Sequence, residues 1–179
     1  MRYIMFILFC IQHTYIYGNA FTDTTSVQYE NYELHIVTHY ENGKLEIGKG
    51  LFSSKDFLHP TTKQEFFFFK EGELLGHFIS PAKKCHIHNR NKNYLNFIFL
   101  EVVIVNIKEE IHYLFNGYGG CNGGCPNIEM LCSLNGNKIL LLNYDEDGTL
   151  IDVHEQGGYS RRDLYQKPEK LKNVRIKPY

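Results

Sequence analysis

Along several stretches of this chain polarity alternates with a period of two, the spacing of a strand that buries one face. In the clearest, Tyr32, Leu34 and Ile36 share one face, with Glu33, His35 and His39 on the other. Three segments repeat one local pattern of an aromatic residue, a short polar turn with glycine, then a leucine. They are Tyr40–Leu45 around Gly43, Phe69–Leu74 around Gly72 and Tyr144–Leu150 around Gly148. Glycine tolerates the positive φ of tight turns, so each predicts a β-hairpin. A fourth hairpin joins Tyr94–Ile107 to Ile111–Tyr118 through Lys108-Glu109-Glu110.

The segment Phe97–Val105 is apolar on both faces, which predicts a central strand covered from both sides. Phe66–Phe69 reads the same way. Helix is scarce: Pro126 suits the first turn of a short helix through Cys132, and another is expected from Pro168 to about Val174. The hairpin pattern recurs too irregularly for a repeat architecture. The expected fold is therefore mainly β, an antiparallel sandwich or open barrel built from hairpins, with one or two short helices.

The N-terminus departs from this pattern. Arg2, the apolar run Ile4–Ile11 and the small residues of Gly18-Asn19-Ala20 together read as a cleavable signal peptide cut after Ala20. Gln12 and His13 interrupt the run long before the roughly 20 apolar residues of a membrane span. Residues 1–20 are thus a signal and 21–179 a single β-rich domain, exported to a periplasmic or extracellular location. The 14 residues of Tyr94–Ile107 contain Asn96, Glu101 and Asn106, and belong in a core rather than a bilayer.

Composition supports strands, with 13 Tyr, 13 Phe and no Trp. Charge is uneven. Residues 21–160 carry 11 basic and 18 acidic side chains, whereas residues 161–179 carry seven basic and two acidic. A basic tail on an acidic body can contact an anionic surface or fold back on its own domain, and an acidic body argues against nucleic-acid binding. Four cysteines remain after the signal: Cys85, Cys121, Cys125 and Cys132. In an exported chain they predict two disulfides, with three connectivities that spacing leaves open.

Candidate chemistry is sparse. His86 and His88 lie two apart, so on a strand both imidazoles point one way and can share a metal ion, with His77 or His112 as a further ligand. Asn143-x-Asp145-x-Asp147-Gly148 imitates the start of a calcium loop but has His154 where the closing Glu belongs, and a hairpin turn explains it. No nucleophile motif is present and no catalytic residue is assigned. Glu101, a lone acid in the most apolar strand, has two readings: a desolvated carboxyl with a raised pKa or, as is commoner for such a residue, a strand-edge or barrel-mouth position exposed to water. Glu65 and Asp152 are other carboxylates able to pair with it.

These features point to a non-enzymatic exported module that binds another protein, of the immunity or inhibitor kind that neutralises a secreted toxin or hydrolase. Its contact surface is expected at Tyr118, Gly119, Gly120, Asn122, Gly123 and Gly124, because binding residues concentrate on loops held by a rigid scaffold. No cofactor is implied. The alternative is a small envelope hydrolase or metal-binding protein using Glu101 or His86 and His88.

Overall fold

The computed structural model describes residues 20–41, 61–82, 84–86, 93–95, 97–119, 128–144, 149–166 and 168–176. The predicted signal residues before Ala20, the predicted hairpin turn around Gly43, and His88, Gly120, Cys121, Asn122, Gly123, Gly124 and Cys125 lie outside them. For Cys85, His86 and Gly119 only the backbone is described.

The first sheet is an antiparallel meander of β1 (Ala20–Tyr29), β2 (Tyr32–Glu41), β3 (Thr61–Lys70) and β4 (Glu73–Ile79) in that order. Its inward positions follow the period of two, and Val27, Leu34, Ile36, Phe66 and Phe68 are fully buried. The hairpin at Gly72 forms as expected, with Lys70 opposite Glu73. A two-stranded ribbon follows, β5 (Lys84–His86) and β6 (Asn93–Leu95).

The second sheet holds β7 (Phe97–Ile107), β8 (Glu110–Gly119), β9 (Ile128–Ser133), β10 (Lys138–Tyr144), β11 (Leu150–Glu155) and β12 (Glu169–Arg175), in the spatial order β11-β10-β9-β8-β7-β12. Lys108 and Glu109 both take positive φ, 55° and 67°, in the tight turn that joins β7 to β8. The flanks of the third glycine hairpin also pair, Tyr144 with Leu150, while its turn at 145–148 lies outside the described residues.

The sheets pack face to face around an aromatic core. Phe66 meets Phe99 and Phe115 edge-on at 5.7 and 5.1 Å and stacks on Phe78 at 4.7 Å. Gln64, 1% exposed, spans the two layers: Phe99 N–H donates to its Oε1 at 2.8 Å, and its Nε2 donates to the Phe99 carbonyl at 3.1 Å. Phe99 lies beyond the pairing between β12 and β7, which ends at Glu101. The side-chain amide thus stands in for a missing strand.

A second apolar cluster covers the far side of the larger sheet. Val103, Val105, Ile107, Leu114, Leu131, Leu140, Leu142 and Tyr144 form it, with Leu150, Tyr159 and Leu164 packed above. Of the run Phe97–Val105 predicted to be covered on both faces, Val102 to Val105 are so buried, whereas Ile98, Leu100 and Glu101 are only partly buried. The cover is the segment carrying α1 (Arg161–Tyr165), the one helix among the described residues. Ser160 opens it, donating through backbone N–H and hydroxyl to Asp163 Oδ2 at 2.7 and 3.3 Å. Lys108 Nζ fastens it to the turn before β8, with Asp163 Oδ2 at 3.0 Å and the Gly158 carbonyl at 2.8 Å.

The architecture is an antiparallel two-sheet sandwich, without a closed barrel among the described residues. Three local expectations are corrected. The predicted helix through Cys132 is strand β9, because Ile128, Met130 and Cys132 alternate inward and fill the core. The helix predicted from Pro168 is strand β12, which supplies ladder partners to the exposed edge of β7. Phe67 and Phe69 are only half-buried, Phe67 stacked on His77 at 4.4 Å and Phe69 tilted against His35 at 4.9 Å, so β3 is not covered on both faces. Cys132 is a free thiol buried in the core, and no disulfide is seen among the described residues, outside which lie Cys121, Cys125 and the Cys85 side chain.

Candidate functional site

Strand register places a polar row across one end of the larger sheet's outer face. Arg175 on β12 faces Glu101 on β7, Glu101 faces Asn116 on β8, and Asn116 faces Glu129 on β9. Asn116 Nδ2 donates to Glu101 Oε2 at 2.6 Å, and Asn173 Nδ2 to Oε1 at 2.7 Å. Burial draws the Glu101 pKa upward. The two amide hydrogen bonds, with the charges of Lys170 and Arg175, outweigh it and leave the carboxyl below its ordinary value. Of the two readings of Glu101, the raised pKa is the one this arrangement rules against. Glu101 is an ionised group with both oxygens occupied, which suits the anchoring of two strands and not proton donation.

Beyond Asn116 a second chain of hydrogen bonds begins. Tyr144 OH donates to Glu129 Oε2 at 2.7 Å and lies 3.0 Å from Tyr165 OH. Because the Tyr144 proton is committed to the carboxylate, Tyr165 donates to Tyr144. Arg161 Nη2 donates in turn to Tyr165 OH at 3.3 Å, and its guanidinium lies over the Tyr165 and Tyr144 rings at 4.9 and 5.8 Å. Every donor thus runs from a cation toward Glu129. Burial, followed by the bonds to Tyr165 and Glu129, pushes the Tyr144 phenol far above its ordinary pKa, so it stays a donor.

Asn116, Gly117, Tyr118, Ile128, Glu129, Tyr144 and Tyr165 enclose a cleft of about 360 Å³. It lies where the described part of β8 ends and that of β9 begins. Gly117 permits the close approach of these strands, since a Cβ there would fall 2.2 Å from Ile128 Cγ2. Tyr118, 42% exposed, brings one expected contact residue into the wall. Glu129, Tyr144 and Tyr165 carry no motif. The signal that could have flagged Glu129 is its charge amid the inward alternation of Ile128, Met130 and Cys132 on a strand whose outward neighbour, Leu131, is apolar.

The other candidates are dispersed. Glu65 lies on the outer face of the smaller sheet, Glu101 on the opposite outside of the sandwich, and Asp152 on the edge strand β11, so they do not pair. Glu65 holds Lys63 Nζ at 2.8 Å, His39 Nε2 at 2.7 Å and His77 Nε2 at 3.3 Å. The Lys63 hydrogen bond, opposed by burial and aided by His39, keeps its pKa low. His112 is buried on β8, far from any metal-ligand set. Among the described residues no group of three or more His, Cys, Asp or Glu is arranged to hold a metal ion. A larger open depression of about 700 Å³ beside Lys138, His154 and Tyr159 has no carboxylate in its lining.

Comparison with known proteins finds no counterpart: no family model, curated protein or solved structure matches the chain.

Proposed function

We propose that the protein is an exported, non-enzymatic module that binds another protein, of the kind that neutralises a secreted toxin or hydrolase. The observation that carries this reading is the cleft walled by Tyr118, Tyr144 and Tyr165. Tyrosine and arginine are the side chains enriched in binding hot spots, since they offer large contact area and a polar tip for few rotatable bonds. Here they rest on a two-layer scaffold, and Arg161 completes the set at the rim. Glu101, the acid that motivated a hydrolase reading, is paired with two asparagines instead.

The test is an affinity pull-down from the native secreted and envelope fractions with tagged residues 21–179, read by mass spectrometry. One dominant stoichiometric partner is expected, and it is lost on Tyr165→Ala while circular dichroism and melting stay those of a folded domain. Equal capture by the folded variant, or a blank under mild crosslinking, overturns the proposal.

A further inference from the structure

We infer that the cleft receives a single basic side chain of the partner, an arginine or lysine, seated against Glu129 between the tyrosine rings. The inference rests on the protein-binding reading above and gives the partner's chemistry. Three observations converge on it.

The first is the direction of the hydrogen bonds. Arg161, Tyr165 and Tyr144 donate in sequence and the chain terminates on Glu129 Oε2. Oε1 has no hydrogen bond, and Glu129 no ion pair, among the described residues. Among the described residues Oε1 has no donor, and a guanidinium or ammonium supplies several. A charge-assisted bond to a carboxylate is roughly twice as strong as a neutral one.

The second is the wall. Aromatic faces attract cations through the ring quadrupole. Arg161 already lies over Tyr165 and Tyr144, which demonstrates within the molecule that these rings accept a guanidinium. Arg161 is held at the rim by the Tyr165 hydroxyl, and an incoming cation must approach Glu129 from the side of the rings that Arg161 leaves open.

The third is scale and field. About 360 Å³ stands at the small end of the roughly 300–1,000 Å³ of small-molecule sites. It takes one long side chain rather than an extended ligand. Residues 21–179 as a whole carry 20 acidic and 18 basic side chains, a net of −2, so the field leans only slightly toward a basic partner and Glu129 supplies the local attraction.

The probes are N-acetyl-arginine amide and N-acetyl-lysine amide, titrated into residues 21–179 and followed by the backbone amide shifts of Gly117, Tyr118 and Glu129. N-acetyl-citrulline amide, the neutral isostere of arginine, and a neutral monosaccharide are the comparisons. Saturating shifts with a cationic probe are expected, with citrulline at least about tenfold weaker. Glu129→Gln should weaken the cationic probe by at least about tenfold, and Arg161→Gln should not weaken it. Equal binding of citrulline, saturation by the monosaccharide alone, or no response to either cation overturns the inference. In the pull-down, a partner retained by Glu129→Gln but lost by Tyr165→Ala overturns the basic-side-chain inference and leaves protein binding standing. A wild-type protein that captures nothing removes the reading beneath it.

Discussion

Gln64→Leu isolates how the two sheets are tied together. The side chain keeps about its volume but loses both groups that serve Phe99. In the native protein Phe99 N–H donates to Gln64 Oε1 at 2.8 Å and its carbonyl accepts from Nε2 at 3.1 Å, at a residue 0% exposed. Leucine strands one donor and one acceptor in an aromatic core with no strand to take them. An unsatisfied buried group costs about 1–3 kcal/mol, so the pair predicts about 2–6 kcal/mol. Against a typical domain stability of about 5–15 kcal/mol, that is a large fraction. Thr38→Val serves as a control. It removes only the 3.3 Å acceptor of the same amide, leaving one Nε2 hydrogen unpaired and Phe99 satisfied, so about 1–3 kcal/mol is expected, half the loss of Gln64→Leu. Urea unfolding should show the midpoint falling with an unchanged m-value. Hydrogen exchange at the Phe99 amide should lose its protection selectively. A Gln64→Leu protein within about 0.5 kcal/mol of wild type, the range of ordinary surface changes, would refute the strand-substitute argument.

Three further outcomes follow from the same geometry. Burial depresses the His112 pKa below 6.5, against opposing help from the Glu110 carbonyl and carboxylate. The unfolded chain therefore takes up a proton that the folded one refuses, and stability should drop as pH falls from 6.5 toward the folded value. Denaturation midpoints measured across that window should flatten in His112→Gln, and an unchanged profile would contradict the assignment. Gly117→Ala drives a methyl into Ile128 and the rings of Phe97 and Phe99, and should destabilise by about 1–3 kcal/mol in thermal or urea unfolding. Cys132, pushed to a high pKa by burial, should resist thiol reagents in the native protein and react fully once unfolded. Rapid native labelling of Cys132, read by mass spectrometry, would contradict its core position.

Much of the sandwich is legible in local pattern. The alternation around Leu34 and Ile36, the turn at Gly72, the hairpin through Lys108-Glu109 and the doubly apolar run Val102–Val105 all describe what a strand must bury, and side chains two apart share a face whatever lies opposite. Proline misled at both predicted helices. Pro126 and Pro168 merely precede strands β9 and β12, because the packed sheets needed inward side chains at one and an edge partner at the other. The same neighbours decided Glu101. Its sequence surroundings are apolar and argue for a raised pKa, yet Asn116 and Asn173 arrive from strands 15 and 72 residues away and reverse it. The cleft is equally non-local, since Tyr118, Glu129, Tyr144 and Tyr165 come from β8, β9, β10 and α1. Sequence alone thus determined which positions face inward, a property of backbone periodicity. Which polar groups meet on the outside depended on strand order and register, and those are set only when the whole sheet assembles.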